Sequence, residues 1–235
     1  MRKLKAAVSF SAGLLGAQLL LGCHSPGIGP NTPAGNLAIG WTNNILTVTA
    51  ENIPGGKIEI WYLEAFCHSG ANDRDWRDTV LPHKTWLVSA SPDGKRLEFL
   101  TMVTPSVEVR HVVTAGRDEI NFDFTLTNRG EQPVDLQWFE PACIRVAAFT
   151  GLDQDHYTGK SFIFTGRGLT TLDHARRTEA ALYRGGQVYL PAGTQNQDAN
   201  PRPVSLDHPV NGIIGCFSAD NRWLLATASD KTHEL

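Results

Sequence analysis

Cysteine is scarce in this chain, with four in 235 residues. Cys23 directly follows an apolar stretch near the N-terminus, which leaves Cys67, Cys143 and Cys216 for the rest. Three thiols form at most one disulfide and leave one over; the sequence does not say which pair it would be. Neither a CxxC nor an HxxxH spacing occurs, so a zinc-type centre lacks its usual signature and no metal or other cofactor is expected. There is no Lys/Arg block, and the net charge is −3. That removes the electrostatic footprint of a nucleic-acid binder. No GxSxG elbow supports Ser/His/Asp catalysis, and no glycine-rich loop precedes a helix to cradle phosphate. Internal repeats are absent. Long charge runs are also missing while aromatics are plentiful, so the bulk of the chain reads as a folded domain.

What is present begins with an address. Arg2, Lys3 and Lys5 make a basic start, and Ala6 to Leu21 is uncharged and mostly apolar. The stretch is too short and wrongly flanked for a stable transmembrane helix, and it reads as a secretory signal. It ends Leu20-Leu21-Gly22-Cys23. This resembles the bacterial lipoprotein signal, in which a small residue precedes a cysteine that becomes the lipidated first residue. The resemblance implies cleavage before Cys23, lipidation there, and a bacterial cell-envelope location anchored to the membrane through that lipid. Residues 1–22 are then signal, and 23–36, rich in Gly and Pro, a flexible tether. Residues 37–235 form the domain. Loss of the three basic residues would take the formal charge from −3 to −6.

The domain reads as β-rich. From Glu119 to Thr127 the residues alternate strictly, with Ile120, Phe122, Phe124 and Leu126 on one parity. That is the period of a half-buried strand. Val107, Val109 and Val113 predict the strand before it. The tract Asn128 to Glu131 predicts a turn into a third strand through Val134, Leu136 and Trp138. Lys57 to Phe66 is apolar on both parities, which predicts a central strand covered on both faces, with Glu64 inside it. Asn43-Asn44, Pro54-Gly55-Gly56, Ser91-Pro92-Asp93-Gly94 and Asp220-Asn221 mark further turns. Cys67 to Pro82 and Pro191 to Asn211 predict long loops, the first carrying Asp73, Arg74, Asp75, Trp76, Arg77 and Asp78. Asp173 to Tyr183 predicts one short helix, and Gln187 to Leu190 a strand. The sum is all-β: about ten strands in an antiparallel two-sheet sandwich with at most one short helix. The last strand lies near the C-terminus and leaves an edge uncovered, as in a truncated or minimal version of a larger sandwich.

Two resemblances follow from particular strings. Asp93-Gly94, Ile120 to Leu126, the turn Asn128-Arg129-Gly130-Glu131-Gln132-Pro133, and Leu136 to Pro141 resemble, in order, the sugar-binding supersandwich of the galactose-mutarotase-like superfamily. The likeness implies a carbohydrate ligand in a cleft entered by the last of these strands. Mutarotases carry a His-Pro pair there, with the His as acid. This chain has Glu140-Pro141, which argues against mutarotation. The strings IEIWYLEAFCHSGANDRDWRDTVLPHKT, EPACIRV, NPRPVS and NGIIGCFSADNRW are similar to a family of bacterial secreted lipoproteins of no known activity. Those relatives continue past the point where this chain stops.

The ligand-binding candidates are Glu64, His111, Trp138, Glu140 and Arg145. Two carboxylates flanking a sugar could cleave it, and their separation decides how. His111 has apolar neighbours on its parity, so it is either a core histidine or an imidazole facing a cleft. Trp138, Trp61, Trp76 and Trp86 could stack on sugar, although tryptophans are more often core. Arg145 sits among apolar residues, where a buried guanidinium would want Glu64 or Glu140. His83, His156 and His208 fall in loops. No residue is assigned a catalytic role. The reading that results is an envelope-anchored carbohydrate-binding or carbohydrate-modifying sandwich. The alternatives are a non-enzymatic scaffold or protein-binding module, and a copper or zinc site built from His and Cys.

Overall fold

A computed structural model describes residues 2–11, 36–68, 80–136, 138–153, 155–176, 189–193 and 204–229. It is an antiparallel sandwich. One sheet has nine strands in the order β11-β10-β12-β13-β1-β8-β7-β6-β5, and the other four in the order β2-β3-β4-β9. In chain order the strands are β1 (Arg2–Ser11), β2 (Ala38–Thr42), β3 (Ile45–Thr49), β4 (Lys57–Cys67), β5 (His83–Ala90), β6 (Arg96–Val103) and β7 (Val107–Ala115). Then come β8 (Glu119–Asn128), β9 (Trp138–Arg145), β10 (Ser161–Thr165), β11 (Gly168–Thr171), β12 (Pro209–Phe217) and β13 (Leu224–Ser229).

The alternation in the sequence sets the layers. Ile120, Phe122 and Phe124 of β8, Val109 and Val113 of β7, and Leu97 and Phe99 of β6 are buried. They meet Leu46, Val48, Ile58, Ile60 and Tyr62 from the small sheet in one continuous core. Tyr62 is the pivot: its ring lies 5.3 Å from Phe99 and 5.6 Å from Phe122, centroid to centroid. Each such aromatic, fully buried, contributes roughly 2–3 kcal/mol. A smaller cluster of Ile163, Leu172, Ala175 and Tyr189 fills the far wing.

The turns follow local chemistry. Asn43 and Asn44 both have positive φ, the conformation a two-residue hairpin requires. Gly55, at φ +79°, closes the turn before β4, and a Cβ there would stand 2.6 Å from the Ala148 carbonyl oxygen. Ala148 belongs to α1 (Ala147–Thr150). Gly55→Ala therefore meets both a backbone conformation and a clash, and is expected to cost about 2–3 kcal/mol. Urea denaturation checks this; a change under 1 kcal/mol would mean that the turn and α1 separate freely.

Several expectations change. Among the described residues the short helix is α1, and the described part of the expected one, Asp173 to Arg176, is not helical. Asp173 to Arg176 is turn, because Leu172 and Ala175 are drawn into the far-wing core beside β11; residues 177–183 lie outside the described residues. Val134 and Leu136 are not in a strand, and Tyr189-Leu190 is not either. The Asn128 turn does form: Asn128 Oδ1 accepts from Ser106 Oγ at 2.7 Å and Gly130 N at 2.9 Å, and Nδ2 donates to Gln132 O. It does not make a hairpin. β9 crosses to the small sheet and pairs with β4, while the other neighbour of β8 is β1. β4 is inner in its sheet, yet Trp61 is 41% exposed, so its first half is covered on one face only. β13 is not an edge, since β12 and β1 flank it.

The N-terminal segment, expected outside the fold, is a strand in this chain. Arg2 to Ser11 pairs antiparallel with both β8 and β13. Leu4, Ala6 and Val8 stand opposite Phe124, Phe122 and Ile120 in the ladder. Cys23 and residues 24–35 of the tether lie outside the described residues, as do Asp73, Arg74, Asp75, Trp76, Arg77 and Asp78.

Candidate functional site

The outer face of the small sheet carries the site, and a defect in the β4–β9 ladder builds it. Trp61 pairs with Cys143 and Tyr62 with Ala142; the next regular pair is Ala65 with Glu140. Leu63 and Glu64 therefore stand against Pro141 alone. Proline lacks the N–H that a ladder needs, and strands accommodate it at edges or bulges. Both conditions hold, because β9 is an edge strand. A bulge re-aims the side chains beside it. Here it brings the ligand atoms of Glu64, Glu140 and Cys143 within 4.8 Å of one another.

All three residues are half-buried. The Cys143 thiol is hydrogen-bonded to Glu64. Its proton is held tightly, with the pKa pushed up to about 12, chiefly by burial, then by the charge and hydrogen bond of Glu64 and the charge of Glu140, against the opposing pull of Arg145. At neutral pH this sulfur is a thiol, and a thiol is a poor nucleophile. Glu64 Oε2 is sealed from solvent and has no hydrogen-bond partner. Next to this group, Trp61 exposes 41% of its surface, and the Arg145 guanidinium lies 5.2 Å from the centre of its ring. A cation over an indole face is held by the ring's quadrupole.

Of the five candidates from sequence, Glu64 and Glu140 converge. Arg145 is nearby but exposed, not buried, and it rests on Trp61. Trp138 pairs with Cys67 in the ladder; its side chain lies outside the described residues. His111 is elsewhere. It is 1% exposed between the sheets, with Nδ1 at 2.7 Å from Tyr62 Oη and Nε2 at 3.0 Å from Thr101 Oγ1. Thr101 in turn meets Thr85 at 2.8 Å. Its ring stacks on Phe99 at 4.9 Å. One proton assignment satisfies the chain: Tyr62 donates to Nδ1, and Nε2–H donates to Thr101. Burial holds the imidazole neutral, with a pKa near 3, and holds the Tyr62 phenol well above its usual value. This is a core histidine with two satisfied nitrogens.

Cys143 is the site residue that sequence reasoning passed over. Glu140 and Cys143 are three apart, which in an unbroken strand puts them on opposite faces. The one hint was Pro141 between them. No disulfide joins Cys67, Cys143 and Cys216 to one another. A second charged cluster is fully used in structure: buried Asp207 accepts from Arg167 Nη2 at 2.8 Å, and from Arg176 through backbone N at 2.6 Å and Nε at 2.9 Å. No family model matches this chain, and neither the curated proteins nor the solved structures searched contain a significant match to it.

Proposed function

We propose that this chain is an exported envelope protein, lipid-anchored through Cys23, whose sandwich binds carbohydrate on the outer face of the small sheet. The observation that carries the ligand reading is the carboxylate pair of Glu64 and Glu140 beside the exposed ring of Trp61. An open indole face offers apolar surface to the C–H side of a sugar. Carboxylates accept hydrogen bonds from its hydroxyls, and Arg145 supplies a donor. Binding is favoured over catalysis, because His111 is sequestered in the core and the Cys143 sulfur stays protonated. A hydrolytic version would use the same two acids. Their spacing, with the chosen oxygens within 4.8 Å, is closer to the roughly 5–5.5 Å of retaining glycosidases than to the inverting range.

Titration of the domain with mono- and oligosaccharides, followed by tryptophan fluorescence, is expected to show millimolar binding. Trp61→Ala should abolish it and Glu140→Gln weaken it, with the fold intact, because neither side chain is fully buried. A signal indifferent to every sugar, or unchanged in Trp61→Ala, ends the carbohydrate reading. Acyl-chain labelling lost in Cys23→Ala supports the anchor; an unlabelled wild-type chain rejects it.

One observation favours a protein-binding module instead. Edge strand β5 exposes Trp86, Leu87 and Val88 together. The ladder slips between Leu87 and Ser89, which spoils this edge for strand addition, so a partner would meet its side chains.

A further inference from the structure

Two features separate the Glu64, Glu140 and Cys143 group from ordinary neighbouring acids. The donors are mixed: two hard carboxylates and one soft sulfur, all within 4.8 Å. And Glu64, a member of the group, carries a second oxygen, Oε2, that is shut off from solvent with no hydrogen-bond partner. A buried carboxylate oxygen left unsatisfied is costly, and a cation at this point would satisfy it. We propose that Glu64, Glu140 and Cys143 bind a divalent transition-metal ion of the zinc type through two carboxylate oxygens and a thiolate, with a fourth position open to water or a ligand.

The geometry requires little adjustment. Zn–O bonds of about 2.1 Å and a Zn–S bond of about 2.3 Å at tetrahedral angles put donor atoms roughly 3.5 Å apart. Side-chain rotations of about an ångström close the set from its present span, while hydrogen-bonded strands hold the backbones. The sulfur excludes magnesium and calcium, which take oxygen-only shells. On binding, Cys143 gives its proton to water, and the ion replaces that proton as the partner of Glu64. Two carboxylates and a thiolate leave the centre one negative charge in excess of a dication. Arg145, on the same parity of β9 as Cys143, stands close enough to offset it. The ion would be held whether or not sugar binds, so this inference does not rest on the carbohydrate reading.

The test is titration of the full chain with cobalt(II), whose thiolate complexes absorb in the near ultraviolet. Expected are one equivalent bound, a sulfur-to-cobalt band, and displacement by added zinc(II). Cys143→Ser should remove the band, and Glu64→Gln and Glu140→Gln should each weaken binding by roughly tenfold or more. Cys216→Ala, which alters a distant buried thiol, should leave the band in place. Far-UV circular dichroism on each variant separates lost ligation from lost folding. As a second readout on the unaltered chain, zinc should slow alkylation of Cys143, mapped by peptide mass. Absence of the band with wild type, its persistence in Cys143→Ser, or equal displacement by calcium(II) overturns the proposal.

Discussion

Replacing His111 with alanine is expected to lower unfolding free energy by about 3–5 kcal/mol, combining a cavity with a stranded Tyr62 hydroxyl and a Thr101 hydroxyl left with Thr85 alone. Tyr62 Oη and Thr101 Oγ1 both take a partner from this ring. Neither reaches water once the sheets close, since Tyr62 and Thr101 are both 0% exposed. The loss of stacking against Phe99 adds to the effect. The midpoint of urea denaturation measures it, and a change below 1 kcal/mol would show that the hydroxyls find other partners. His111 also makes the fold sensitive to acid. Unfolded, the imidazole takes up a proton below about pH 6.5; folded, burial delays uptake to about pH 3. Between those values the unfolded state binds more protons, so stability is full above pH 6.5 and falls as pH drops toward 3. The slope is about 1.4 kcal/mol per pH unit. His111→Gln keeps a donor and an acceptor but cannot titrate. Its stability should therefore be lower than wild type at pH 7, and the gap should narrow or reverse by pH 4. A gap that stays constant across this range would assign the acid sensitivity to other groups.

The second large effect concerns the N-terminus. A chain beginning at Cys23 is expected to be less stable than the full chain by on the order of 5 kcal/mol. Without β1, six ladder positions on β13 and eight on β8 lose their partners. The row Ile120, Phe122 and Phe124 loses its neighbouring strand in the same step. β8 and β13 cannot simply close on each other in antiparallel register, because both run antiparallel to β1 and hence parallel to one another. Export with cleavage before Cys23 would thus leave a slot in the large sheet shaped for one strand of alternating apolar pattern. Denaturation of both lengths, prepared without lipid, gives the difference. Equal stability would mean that the sheet does not need Arg2–Ser11. The tension between the two uses of these ten residues is physical. A basic start followed by small and apolar residues suits an export signal, and the alternation Leu4, Ala6, Val8 and Phe10 suits a strand.

Much of the architecture was written locally. The period-two pattern of Ile120, Phe122 and Phe124 set both the strand and its buried face, because alternation is a property of the strand itself. Asn43-Asn44, Asp93-Gly94 and Asp220-Asn221 placed their turns, because backbone preference at those residues does not wait for the rest of the fold. The all-β class follows from summing such signals. Strand partners were another matter. Nothing near Asn128 tells whether β9 folds back on β8 or crosses to β4, since both sheets offer the same ladder chemistry.

The candidate site was half legible. Glu64 and Glu140 stood out as carboxylates within apolar strands. His111 stood out equally and proved to be internal, because its partners, Tyr62 and Thr101, come from other strands. Residue order alone therefore specifies the alternation, the turns and the class of fold. That Leu63 and Glu64 share one place opposite Pro141 emerges only from the pairing of β4 with β9. That single slip turns Glu64, Glu140 and Cys143 toward a common point. Side-chain direction along a strand is set by counting residues, and an interruption in the count appears only when two strands lie side by side.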